Sequence, residues 1–103
     1  MILVTVMYPA GAQTSFDVDY YLQKHMPLVR ERWTPHGLKS AQALRGLAKA
    51  DGSPADYQVM ALLTFGSLED FRAAGKAHGA EIFADIPKFT NTQAVVQINE
   101  ILG

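Results

Sequence analysis

The chain has 103 residues, enough for one domain and too few for two. It is 49% hydrophobic and 18% charged, which excludes a disordered chain, and its net charge of -1 without a basic run lacks the electrostatic footprint of a nucleic-acid binder. With no cysteine there is no disulfide, thiol nucleophile or thiolate metal site; this suits a cytoplasmic protein.

The chain opens on ILVTVMY, residues 2–8, β-branched and apolar on both faces, which predicts a central strand. The apolar N-terminus has no basic flank and is far too short to span a membrane. Pro9 ends the strand and Gly11 turns the chain. A helix is predicted from Asp17 to Trp33, with Asp17 as N-cap and Phe16 packing back on Tyr21 as a hydrophobic staple. At α-helical spacing Val18, Tyr21, Leu22, His25, Val29 and Trp33 share one side. Pro27 lies inside this helix and predicts a kink beside His25, with a cavity between helix and sheet. Pro35 and Gly37 stop the helix, and His36 falls in that loop as a solvated residue.

Residues 38–46, LKSAQALRG, alternate as an edge strand, with Leu38, Ser40, Gln42 and Leu44 on one side. A turn-rich connection leads to YQVMALLTF, residues 57–65, a second strand apolar on both faces. Ser67 caps a second helix, and Gly79 is its expected stop, with one short turn at Ala80 to Ala84. TQAVVQINEIL, residues 92–102, is the final strand.

The order β-α-β-β-α-β predicts an α+β, ferredoxin-like fold: an antiparallel four-stranded sheet with both helices on one face. Its first and third strands lie in the centre, and its other face is bare. An apolar bare face predicts a homodimer, sheet against sheet, as a dimeric α+β barrel.

No H-x-x-x-H or H-E-x-x-H spacing, phosphate loop or G-x-G-x-x-G occurs, so no metal site and no cofactor site is expected. Tyr8, Tyr20, Tyr21, Tyr57 and Trp33 are candidates to line a pocket for a planar ligand. Tyr21 stands out because it lies one turn from His25 on the same face. His78 is more simply read as a helix-terminal imidazole favoured by the helix dipole.

Two segments resemble the EthD family, named for ethyl tert-butyl ether degradation. One is Y-Y-x-x-x-H-x-P-L, Tyr20 to Leu28; the other is H-G-x-E-I followed by D-I-P-x-F-T, from His78 to Thr90. The resemblance implies the ferredoxin-like subunit and the dimeric barrel. Family members are often labelled oxidoreductases, and barrel relatives include cofactor-free monooxygenases, lactone isomerases and polyketide cyclases. The resemblance carries His25 over as a site residue, and His78 and Asp85 through the second segment; Tyr21 comes from helix geometry. The expected function is a cofactor-independent enzyme acting on a small apolar or aromatic carbonyl compound, with His25 as acid and base and Tyr21 as hydrogen-bond donor. The alternative is a non-catalytic small-molecule binding or accessory protein.

Overall fold

The computed structural model describes residues 1–103. Four strands, β1 (Ile2–Pro9), β2 (Leu38–Arg45), β3 (Tyr57–Phe65) and β4 (Val95–Glu100), form one antiparallel sheet in the order β2-β3-β1-β4. The two strands apolar on both faces, β1 and β3, are the central pair. The first helix, between β1 and β2, runs as an α-helical turn (Val18–Tyr20), a π-helical turn (Tyr21–His25) and an α-helix (Met26–Trp33). The second helix (Leu68–Asp85) lies between β3 and β4, so the fold is the ferredoxin-like α+β arrangement. No helix is long and apolar enough to cross a membrane.

Alternation decides what is inside. Val4, Val6 and Tyr8 of β1, and Val59, Ala61, Leu63 and Phe65 of β3, point to the helices and are buried. They pack with Tyr21, Met26, Val29 and Trp33 of the first helix and Ala74 and Ile82 of the second. The opposite face carries Leu3, Met7, Met60 and Leu62, only half-buried, with Leu44 and Val95 exposed at its margins.

Local chemistry explains the boundaries. The Asp17 carboxylate accepts from the Tyr20 N–H at 3.0 Å, and Phe16 lies edge-on to Tyr21 at 5.0 Å. The Ser67 hydroxyl accepts from the Asp70 N–H at 3.1 Å. Gly37 closes the first helical segment at φ 98°, in the left-handed region.

Three expectations are corrected. The helix does not stop at Gly79; it runs on to Asp85, and Gly79 is buried within it. Six further residues can follow because Ile82 and Asp85 continue the buried face that Ala74 begins. Leu38 does not share a side with Ser40: a bulge between them puts Leu38 opposite Phe65, on the helix-facing side with Ala41 and Ala43. Leu22 is not part of the buried helix face; it is 50% exposed. The π turn is the reason. Its wider ring bonds the Met26 N–H to the Tyr21 carbonyl, five residues back, so the buried row passes through Tyr21, His25 and Met26 and turns Leu22 outward. The same turn is the form taken by the expected kink, since Pro27 then falls in the first turn of the following α-helix, where a missing N–H is tolerated.

These two glycines answer differently to alanine. At Gly37 a Cβ would lie 2.6 Å from the Asp70 carboxylate on a left-handed backbone, whereas at Gly79 it would meet nothing within 4 Å. Urea unfolding should show Gly37→Ala losing about 1–2 kcal/mol or more and Gly79→Ala gaining about 0.5–1 kcal/mol.

Candidate active site

Two segments far apart in the chain meet at His25. The first is the π turn. The second is the end of the second helix and the 3-10 turn Ile86–Lys88 that follows it. Loop contacts hold them together. The Asp17 N–H donates to the Phe89 carbonyl at 2.7 Å, the Thr90 hydroxyl donates to the Ser15 carbonyl at 2.6 Å, and Phe16 and Thr90 form an isolated β-bridge. Phe89 is thereby pressed against the site, its ring centroid 4.6 Å from that of His25.

His25 is 3% exposed, and its Nδ1 lies 3.0 Å from Oδ2 of the buried Asp85. The other oxygen, Oδ1, accepts from the Tyr20 hydroxyl at 2.8 Å and has the Lys88 ammonium at 3.6 Å. Burial dominates the histidine: it pulls the imidazole below its ordinary value of about 6.5, and Asp85 offsets this only in part. For Asp85, burial is the largest single influence and pushes the carboxyl up. The hydrogen bonds from His25 and Tyr20, with the charges of His25 and Lys88, outweigh it and leave the group below the usual carboxylate range. At neutral pH the pair is thus a carboxylate and a neutral imidazole. An ionised carboxylate only accepts, so the imidazole proton sits on Nδ1 and Nε2 carries the free lone pair.

Tyr21 stacks on His25 at 5.6 Å and is 1% exposed. Its hydroxyl is buried without a hydrogen-bond partner. Burial raises its pKa to about 12, with Arg30 pulling the other way. Tyr8 is buried beside it at 5.9 Å, and burial raises its phenol as well. Trp33 is structural in its polar contact: its indole N–H donates to the Ala74 carbonyl at 2.8 Å.

The cavity expected beside His25 exists but is small. About 20 Å³ is enclosed by His25, Tyr8, Tyr21, Trp33, Met26 and Ile82 among others, room for little more than one water. A larger cleft of about 300 Å³ shares Tyr21 as a wall. Val18, Leu22, Ala43, Leu44 and Val59 line it, and Arg45 completes it.

The candidates sort accordingly. The fold brings together His25, Tyr21, Tyr8, Trp33 and, through its carboxylate, Asp85. It does not bring His78, which lies mid-helix facing His36 at 5.4 Å and Glu81 at 3.8 Å. His36 itself is half-buried against it rather than fully solvated. No three His, Cys, Asp or Glu side chains converge as a metal site. Lys88 and Phe89 were missed, and Tyr20, expected only as a pocket aromatic, proves to hold the Asp85 carboxylate. Tyr20 stands five residues before His25, which straight α-helical spacing sends to another side; the π turn lets both reach one carboxylate.

The EthD domain family matches residues 10–93. Among solved structures, an EthD-like protein from Ralstonia eutropha JMP134 is similar at 38% identity and TM-score 0.90, over 99% of this chain and 92% of that one. An ethyl tert-butyl ether degradation family protein from Bacillus halodurans C-125 is similar at 20% identity and TM-score 0.78, over 99% of both chains. SnoaB, a cofactor-independent oxygenase from Streptomyces nogalater, shares the fold at 12% identity and TM-score 0.64, over 99% of this chain and 92% of that one. No curated protein matches the chain.

The dyad makes stability depend on pH. A histidine held below its unfolded value leaves the unfolded chain binding more protons, so stability is full above the ordinary histidine range and falls as pH drops through about 6.5 toward the folded value. The Asp85 contribution is lost only at lower pH, as the carboxyl protonates through its lowered value. The melting temperature should therefore decline between pH 7.5 and 5, and His25→Asn should flatten that decline in a calorimetric series.

Proposed function

The chain belongs to the EthD family, and from that premise we propose that it is a cofactor-independent enzyme that moves a proton on a small apolar carbonyl compound. The 3.0 Å contact between His25 Nδ1 and Asp85 carries this reading. It leaves Nε2 as a base whose ring is fixed in tautomer and orientation. In the reaction, Nε2 takes a proton from the carbon beside the carbonyl. The imidazolium that forms is stabilised by Asp85, itself held by Tyr20 and Lys88. Negative charge then grows on the carbonyl oxygen, and the unpartnered Tyr21 hydroxyl donates to it. The enolate so formed is the common start of isomerisation, cyclisation and cofactor-free oxidation.

Access is the cost of this arrangement. Only about 20 Å³ is open beside His25, so a substrate enters by displacing side chains, of which Tyr21 borders the larger cleft. That closed cavity is the observation favouring a second reading, a binding or accessory protein that holds its ligand in the larger cleft without turnover. Proton–deuterium exchange at the carbon beside the carbonyl, followed by NMR across a panel of small ketones, separates the two. Catalysed exchange should drop at least ~100-fold in His25→Gln and in Asp85→Asn. Saturable binding with no catalysed exchange by the wild type leaves the accessory role.

The reading includes a homodimer. The face of β1 and β3 away from the helices presents Leu3, Met7, Met60 and Leu62 with no layer over it. Two such sheets packed together should bury on the order of 2,000 Å². Light scattering at micromolar concentration should give twice the chain's 11.3 kDa mass; a monomer mass would refute the association.

A further inference from the structure

We propose that the 300 Å³ cleft binds a carbonyl compound that also bears a carboxylate, an apolar keto acid, with Arg45 pairing to the carboxylate and the Tyr21 hydroxyl donating to the carbonyl oxygen. The proposal rests on the preceding reading for the ligand's carbonyl, and goes beyond it in naming a second, ionised group.

Three features of the cleft select the ligand. Its walls, Val18, Leu22, Ala43 and Val59, are hydrocarbon, and its volume is at the small end for ligand sites. Tyr21 borders the cleft, and its hydroxyl, buried just behind the accessible surface, has no acceptor within the protein. A buried hydroxyl without a partner is costly and gains most from an acceptor that a ligand brings. The only charged side chain lining the cleft is Arg45. The neighbouring arginines are occupied: Arg30 donates to the Ala41 carbonyl at 3.2 Å, and Arg32 to Glu81 at 2.9 Å. Arg45 makes no ion pair with any carboxylate of the chain. A guanidinium fork beside an apolar wall matches a carboxylate, which it can hold through two parallel hydrogen bonds.

The position of Tyr21 links cleft and dyad. Tyr21 both stacks on His25 and lines the cleft. A keto acid anchored at Arg45 would thus present its carbonyl end toward the histidine and keep its charged end at the exposed mouth, where the carboxylate stays partly hydrated.

Phenylpyruvate and its neutral counterpart phenylacetone test this by titration calorimetry on the whole protein. The acid should bind more tightly than the ketone by about fivefold, the size expected for an exposed charge pair. Arg45→Gln should erase that difference without moving the ketone's affinity. Tyr21→Phe should weaken both by about fivefold while raising the melting temperature of the ligand-free protein, since it removes an unpaired buried hydroxyl. Lys39→Gln, an exposed change on the same strand but outside the cleft, should leave the acid preference intact. No binding of phenylpyruvate, or an acid preference that survives Arg45→Gln, would overturn the carboxylate site; unchanged affinities in Tyr21→Phe would overturn the hydroxyl's part. Arg45-dependent binding without catalysed exchange at the carbon beside the carbonyl keeps this site and rejects proton transfer. Catalysed exchange on neutral ketones, with no Arg45-dependent preference for the acid, keeps proton transfer and rejects this site.

Discussion

A proline in the middle of the long helix sets the geometry on which the site depends. Pro27 has no N–H to give and would crowd the carbonyl of Gln23 in a regular α-helix. The backbone answers with one wide turn, Tyr21–His25, before α-helix resumes. That turn has three results at once. It aims Tyr21, His25 and Met26 inward together, it turns Leu22 out to the rim of the cleft, and it lets Tyr20 and His25 meet on a single carboxylate. A π turn costs hydrogen-bond quality, and such turns collect at functional sites because they put adjacent residues where a regular helix cannot.

The carboxylate on the other side of the contact would be expensive alone. Asp85 is buried at the end of a helix, where the dipole presents carbonyl oxygens and disfavours a negative charge. It remains ionised because two hydrogen bonds and a nearby ammonium meet its oxygens. The histidine is held neutral by the same burial. Each partner therefore keeps the state that suits a base and its support.

Much of this was legible in the chain. Runs apolar on both faces marked the central strands, Asp17 and Ser67 marked the helix starts, and the strand–helix order determined the topology. Asp85 was visible only as part of a D-I-P segment, with nothing in its spacing to name His25 as its partner, because the contact joins residues 60 apart. The meeting of Tyr20 with His25 on one carboxylate was hidden by the assumption of a regular 3.6-residue period. Gly79 read as a stop, since a glycine after a histidine has the local signature of a C-terminus, yet burial of Ile82 and Asp85 carries the helix past it. Leu38 misread for a similar reason: a bulge changes phase without changing composition.

The sheet order has a consequence for how the molecule comes to exist. β1 leaves the ribosome first but lies in the middle, and its two neighbours, β3 and β4, are supplied only after residues 57 and 95. Its partners are non-local on both sides, so the entropy of closing long loops is met before the sheet gains any of its central pairing. The bridge between Phe16 and Thr90, which holds Asp85 against His25, belongs to the same late set. A nascent or truncated chain thus carries an unsupported imidazole, and the dyad is assembled only in a molecule whose topology is already complete.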